Sequence, residues 1–167
     1  TLSGASNYTG ATNITAGVVN IQNGSALGNS SLTTVSNGAT LQLQGGISVG
    51  ALPLRIYGLG IGNTGALRNI SGNNAWGGTI TLLSAAKINS EADLLTLNGS
   101  TAISSTNIGV TFAGIGSTLI TGAVALGTGT ITLSAGTVLL GNNNSIGDTS
   151  GVIFDGGTLN TNNFNET

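Results

Sequence analysis

The 167-residue chain carries five carboxylates, three basic side chains, no histidine and no cysteine, and this inventory decides most of the chemistry open to it. Nucleophilic catalysis of the triad type needs a base beside a serine or cysteine. Without imidazole or thiol that route is closed. Glycosidic cleavage needs only two carboxyl groups across a cleft, so the acids are the groups to place. Glu91 and Asp93 share a face if "NSEAD" is extended, but that composition fits a solvated turn better. Asp148 and Asp155 lie seven apart and each adjoins a glycine, so turn roles fit them too. No carboxylate pair is expected to act on a substrate, and the chain reads as a non-enzyme without a cofactor.

The remaining site chemistries fare no better. Calcium-binding nonapeptide coils need repeated "GGxGxD", and the chain offers an isolated "FDGG" at residues 154–157. Phosphate-cradling glycine loops need a lysine and a following helix, whereas the glycines here precede strands. Trp76 in "GNNAWGG" and Tyr8 in "SNYTGAT" have the ring chemistry to stack on sugars, although an aromatic that caps a coil corner is the commoner reading. Sequons such as Asn13-Ile14-Thr15 and Asn98-Gly99-Ser100 are expected by chance in a chain so rich in Asn, Ser and Thr.

The elements that would carry any site are short strands. Period-two alternation, the half-buried strand pattern, recurs in "TLQLQ" (40–44), "TITLL" (79–83), "LLTLN" (94–98), "TLITG" (118–122) and "TITLS" (130–134). Gly, Asn or Ser clusters follow nearly every one, supplying tight corners. Charged residues make up 5% of the chain, against roughly 25% in ordinary globular domains. Mean hydropathy is +0.34, yet no apolar run reaches the ~18 residues of a membrane-spanning helix. No membrane insertion is expected. A net charge of −2 without a basic cluster gives no footprint for a phosphate backbone, so nucleic acid is not an expected partner. Aliphatic residues throughout argue against disorder. The start at Thr1, with no leader pattern, suggests a processed product or an excerpt of a longer protein.

Self-similarity organises these strands. Residues 129–147, "GTITLSAGTVLLGNNNSIG", hold two alternating segments around a small-residue corner and an Asn turn, and residues 10–28, "GATNITAGVVNIQNGSALG", echo them. Gly17, Gly38, Gly58, Gly78, Gly99, Gly116, Gly136 and Gly157 are separated by 21, 20, 20, 21, 17, 20 and 21 residues. A period of 20 to 50 residues points to a solenoid. We expect an all-β parallel β-helix of about eight coils of ~20 residues, stacked at about 4.8 Å, as one domain over residues 1–167 with both ends uncapped. Stacked coils bring equivalent positions together, so like charges would repel, which accounts for the scarcity of charge. Asn73-Asn74 and residues 142–144 are candidates for Asn ladders between coils. The stretch 50–76 departs most from the pattern, with Pro53, Arg55, Tyr57, Arg68 and Trp76. It is the expected place for a bulge, an extruded loop or a contact surface, the last formed by Arg55, Tyr57, Arg68 and Trp76.

Residues 1–28, "TLSGASNYTGATNITAGVVNIQNGSALG", resemble the passenger-associated transport repeat of bacterial autotransporters, through "LSGASNYTGAT" and then "TAG". The second copy keeps "GTITLSAGTVLLGNNNSIG" without the "YTG" corner, and "GALRNISGNNAWGGTITL" (65–82) is similar to the segment between such repeats. The resemblance covers about half of the chain. It implies a right-handed parallel β-helix exported to the bacterial cell surface, built into stalks, adhesins or fibres, with no active site in the repeat. The expected function is therefore a structural extracellular β-solenoid, a segment or subunit of a surface fibre or adhesin stalk. Uncapped ends offer strand edges, so the expected partner is a second copy, head to tail, or the continuation of a longer solenoid. The alternatives are a carbohydrate-binding or carbohydrate-active β-helix on a surface glycan, and ice binding through Thr79/Thr81 and Thr130/Thr132.

Overall fold

The structure is a computed structural model that describes residues 1–147 and 150–166. The chain winds as a parallel β-solenoid, 43% strand with almost no helix. Its first turn holds β1 (Thr12–Ile14) and β2 (Val18–Ile21), and its second β3 (Thr33–Val35), β4 (Thr40–Gln44) and β5 (Ser48–Val49). The third turn holds β6 (Leu54–Ile56), β7 (Leu67–Ser71) and β8 (Asn74–Trp76); the fourth holds β9 (Ile80–Leu82), β10 (Ala86–Ser90) and β11 (Leu94–Leu97). The fifth adds β12 (Thr101–Ser104), β13 (Val110–Ala113) and β14 (Ser117–Ile120), and the sixth β15 (Ala123–Ala125), β16 (Ile131–Leu133) and β17 (Thr137–Leu140). In the seventh, an isolated bridge from Val124 to Ile146 stands in for the first strand, before β18 (Val152–Phe154) and β19 (Thr158–Asn160). Three parallel sheets result. The first stacks β1-β3-β6-β9-β12-β15, the second β2-β4-β7-β10-β13-β16-β18 and the third β5-β8-β11-β14-β17-β19.

Alternation along each short strand sends every second residue inward, and in-register stacking turns those residues into columns. In the second sheet the inward column runs Leu41, Leu67, Ile88, Phe112, Leu133 and Phe154. In the third it runs Val49, Trp76, Leu97, Ile120 and Leu140. Between the ends these side chains are fully buried, each worth roughly 1.5–3 kcal/mol of burial. Outward columns are mostly uncharged. Asn13, Thr34, Arg55, Thr81, Ser104 and Ala125 line the first sheet, and Ser48, Ala75, Thr96, Leu119, Leu139 and Asn160 the third. Neither column holds two charges, as rung-on-rung repulsion requires.

The repeat differs from the expected eight coils of ~20 residues: there are about seven turns of about 21. Register partners are 21 apart at Thr12↔Thr33 and Thr33↔Leu54, but 26 at Leu54↔Ile80, 26 at Leu41↔Leu67 and 27 at Val49↔Trp76. The three long steps all span residues 54–67, so one insertion lies between β6 and β7. The glycine count erred because the glycines occupy different corners. Gly17 and Gly38 precede strands of the second sheet, Gly78 and Gly99 strands of the first, and Gly116, Gly136 and Gly157 strands of the third. The phase slips around the rod, and that slip passes for an extra coil. The echo has the same origin. It lays β1 and β2 onto β16 and β17, one sheet out of phase, so what repeats is a strand, corner and strand unit.

Corners are held by backbone contact and by side-chain amides. An added Cβ at Gly78 would strike the carbonyl oxygen of Leu52, and one at Gly122 that of Gly99. Turns approach so closely there that glycine is needed. Asn-to-Asn ladders at Asn73-Asn74 and 142–144 do not form among the described residues. Instead Asn73 Oδ1 accepts from Leu94 N at 3.3 Å, Asn143 Oδ1 from Asn165 N at 2.9 Å and Asn107 Oδ1 from Thr128 N at 3.0 Å. Each staples one turn to the backbone of the next. A true amide ladder does form elsewhere, where Asn20 Nδ2 donates to Gln42 and Gln44 at 3.2 Å and Gln22 Nε2 to Gln44 at 3.0 Å.

Candidate functional site

The irregular stretch 50–76 supplies the individuality expected of it, distributed differently from expectation. Its insertion, residues 57–66, is a fixed loop with a 3-10 turn at Ile61–Asn63. Thr40 Oγ1, on the turn before, donates to Gly65 O at 2.9 Å and accepts from Ile61 N at 3.0 Å. Lys87 Nζ, on the turn after, donates to Asn63 O at 3.0 Å. Held on both sides, the loop presents Leu59 and Ile61 to solvent.

The four residues expected to form one contact surface do not. Trp76 is 1% exposed, stacked between Val49 and Leu97 in the inward column of the third sheet. The alternation Asn74-in, Ala75-out, Trp76-in decides this, and a ring of that size belongs where most apolar area is buried. Arg68 sits on the outward side of β7, on a different sheet from Arg55, and is ion-paired with Glu91 of the next turn. Arg55 and Tyr57 remain neighbours in sequence, on β6 and at the corner after it. Tyr8, the other aromatic candidate, lies at the N-terminal end with its hydroxyl 2.8 Å from Thr12 Oγ1.

Three of the five acids hold structural contacts. Besides Glu91 on Arg68, Asp93 adopts a φ of 55° at a corner and its Oδ2 accepts from Gly72 N at 2.7 Å. Glu166 receives Ser145 N at 3.1 Å and Ile146 N at 2.8 Å. Asp155 lies in an exposed corner, and Asp148 falls outside the described residues. Among the described residues no group of three or more acids could hold a metal ion. Thr79 and Thr81 lie at the first sheet while Thr130 and Thr132 lie at the second, so they form no single flat threonine array.

Two hollows remain. One, of about 300 Å³, crosses the outer face of the first sheet at turns 4 and 5, lined by Thr81, Leu82, Leu83, Ser104, Thr106 and Ile108. Arg55 lies one rung below it on the same outer face, in register with Thr81, and Tyr57 follows at the corner after β6. The other, of about 310 Å³, opens at the C-terminal end, lined by Ile146, Val152, Leu159 and Glu166. Beside it Phe154, on an otherwise buried column, is 62% exposed. Among the described residues β18 pairs there only with β16 and β19 only with β17. Sequence reasoning missed both hollows, since each depends on which strands become neighbours across turns. Comparison with protein-family models, curated proteins and solved structures gave no match.

Proposed function

We propose that the chain is a structural segment or subunit of an extracellular bacterial fibre or adhesin stalk, extended by end-to-end stacking of solenoids, and that it is not an enzyme. The observation that carries this reading is the open C-terminal end. Phe154 occupies the next rung of a column whose other members are buried, and Val152 and Leu159 leave their own columns half covered. Among the described residues the outer backbone edges of β18 and β19 pair with no further strand. A further turn of the same kind satisfies both needs at once, covering apolar area and completing strand edges.

The opposite end supplies a surface of matching type. Leu2 bridges Ile21 through Leu2 N to Asn20 O at 2.7 Å and Gln22 N to Leu2 O at 2.9 Å, with Leu2 and Val18 exposed. A contact that joins unlike ends repeats without closing and generates a filament. The surface placement draws on the resemblance of residues 1–28 to the autotransporter passenger repeat, and the mostly uncharged outer columns suit a rod that is stacked rather than steered.

Light scattering at rising protein concentration tests the stacking. The native chain is expected to form linear assemblies, and Phe154→Asp to hold the population at monomers while keeping the circular dichroism of a folded β protein. Monodisperse native monomers across the range contradict the proposal.

A further inference from the structure

We propose that the groove over the first sheet at turns 4 and 5, together with Arg55 and Tyr57 on the rung below, binds an acidic sugar, a uronic or sialic acid unit of a glycan. In this arrangement Arg55 takes the carboxylate, the Tyr57 ring and Leu83 lie against the sugar ring, and the hydroxyls of Thr81, Ser104 and Thr106 meet the ring hydroxyls.

Charge is the first support. Of the three basic side chains, Arg68 is held by Glu91 and Lys87 by Asn63 O. Arg55 is exposed and its side chain has no ion pair or hydrogen bond among the described residues. The described acids lie elsewhere. Glu91, Asp93 and Asp155 occupy corners between the second and third sheets, and Glu166 lies at the C-terminal end. Among the described residues no carboxylate stands on the outward columns of the first sheet, so at turns 3 to 5 an anionic ligand meets the Arg55 cation and no described acid. Guanidinium binds carboxylate through two parallel hydrogen bonds, which selects an acid over a neutral group.

Spacing is the second. Arg55, Thr81 and Ser104 occupy consecutive rungs in register, a straight polar line of about 10 Å at the strand spacing. Thr81 Oγ1 and Ser104 Oγ lie 3.3 Å apart, so the two hydroxyls already orient each other. Ser105 contributes shape rather than contact: its Oγ donates to Ile108 O at 2.7 Å and accepts from Ile108 N at 3.2 Å, fixing the corner that forms the groove wall. Tyr57 and Leu83 lie on adjacent rungs, where Leu83 N donates to Ile56 O at 3.1 Å, and the phenol has no hydrogen-bond partner among the described residues. An apolar floor with a few placed polar groups is what small-ligand sites share, and the volume of about 300 Å³ suits one or two sugar units. A single cation is too few for a nucleic-acid backbone.

This site lies on the side of the rod and does not depend on end-to-end stacking. Titration calorimetry with tetragalacturonate and with 3′-sialyllactose, each at about 1 mM, separates the two sources of an acidic sugar, and the methyl ester and lactose serve as neutral counterparts. We expect one or both acidic sugars to bind, with the neutral counterpart and the Arg55→Ala variant weaker by roughly tenfold or more, the loss of a charged hydrogen bond. Tyr57→Ala is expected to weaken binding as well, while Arg55→Ala melts and assembles as the native chain does. Absence of binding by both acidic sugars, equal binding of a neutral counterpart, or a smaller effect of Arg55→Ala overturns the proposal.

Discussion

At the scale of single residues, the side chains that stood out in the sequence divide by the direction their strand alternation gives them. Trp76 and Arg55 looked alike as candidates, both rare types in a chain poor in aromatics and charge, yet one faces the core and the other solvent. The alternation that separates them was present in "NNAWGG" and "PLRIY", but composition drew attention to the residues rather than to their parity. Trp76→Ala is expected to lower stability by about 3–5 kcal/mol through lost transfer energy and a cavity, read as a reduced urea midpoint, with sugar binding unchanged in the protein that remains folded. Glu91→Ala strands the Arg68 guanidinium, whose Nε is already buried without a partner. The pair is partly exposed, at 15% and 34%, so the expected loss is about 1–2 kcal/mol in the same measurement.

At the scale of elements, strand positions were legible because short strands with small-residue corners leave a period-two trace. The turn length was less so. Corners of all three kinds use glycine, so a glycine series of nearly constant spacing joined corners that are not equivalent, and the insertion at 57–66 was absorbed into the average. The amide staples were illegible for a related reason: Asn73, Asn107 and Asn143 bond to backbone about 21 or 22 residues away, and nothing local marks the partner. The inserted loop hangs on Thr40, a buried residue of the preceding turn. Thr40→Val keeps the shape and removes both hydrogen bonds to the loop, so limited proteolysis is expected to cut within 57–66 in the variant and not in the native chain. Gly122→Ala pushes a Cβ into a backbone oxygen that cannot move aside. It is expected to cost at least about 2 kcal/mol, in line with other strained or overpacked substitutions, with a lowered melting temperature as the readout.

At the scale of the whole molecule, the fold class was the most legible property, since the scarcity of charge, the corners and the alternation all agree with stacked coils. The open core at the C-terminal end was not, because exposure of Phe154 depends on which turn is last in the stack, not on its neighbours in sequence. Nearest-neighbour stacking makes the stability of such a rod a sum over turns, and an added copy at the open end extends that sum. The same logic gives the assembly a length scale. Seven turns at about 4.8 Å per rung come to ~34 Å of rod per copy. Electron microscopy of the purified native chain at micromolar concentration tests this most directly. Unbranched filaments with an axial rise near that value per subunit are the expected result, and a field of isolated particles with no linear assembly would contradict end-to-end stacking.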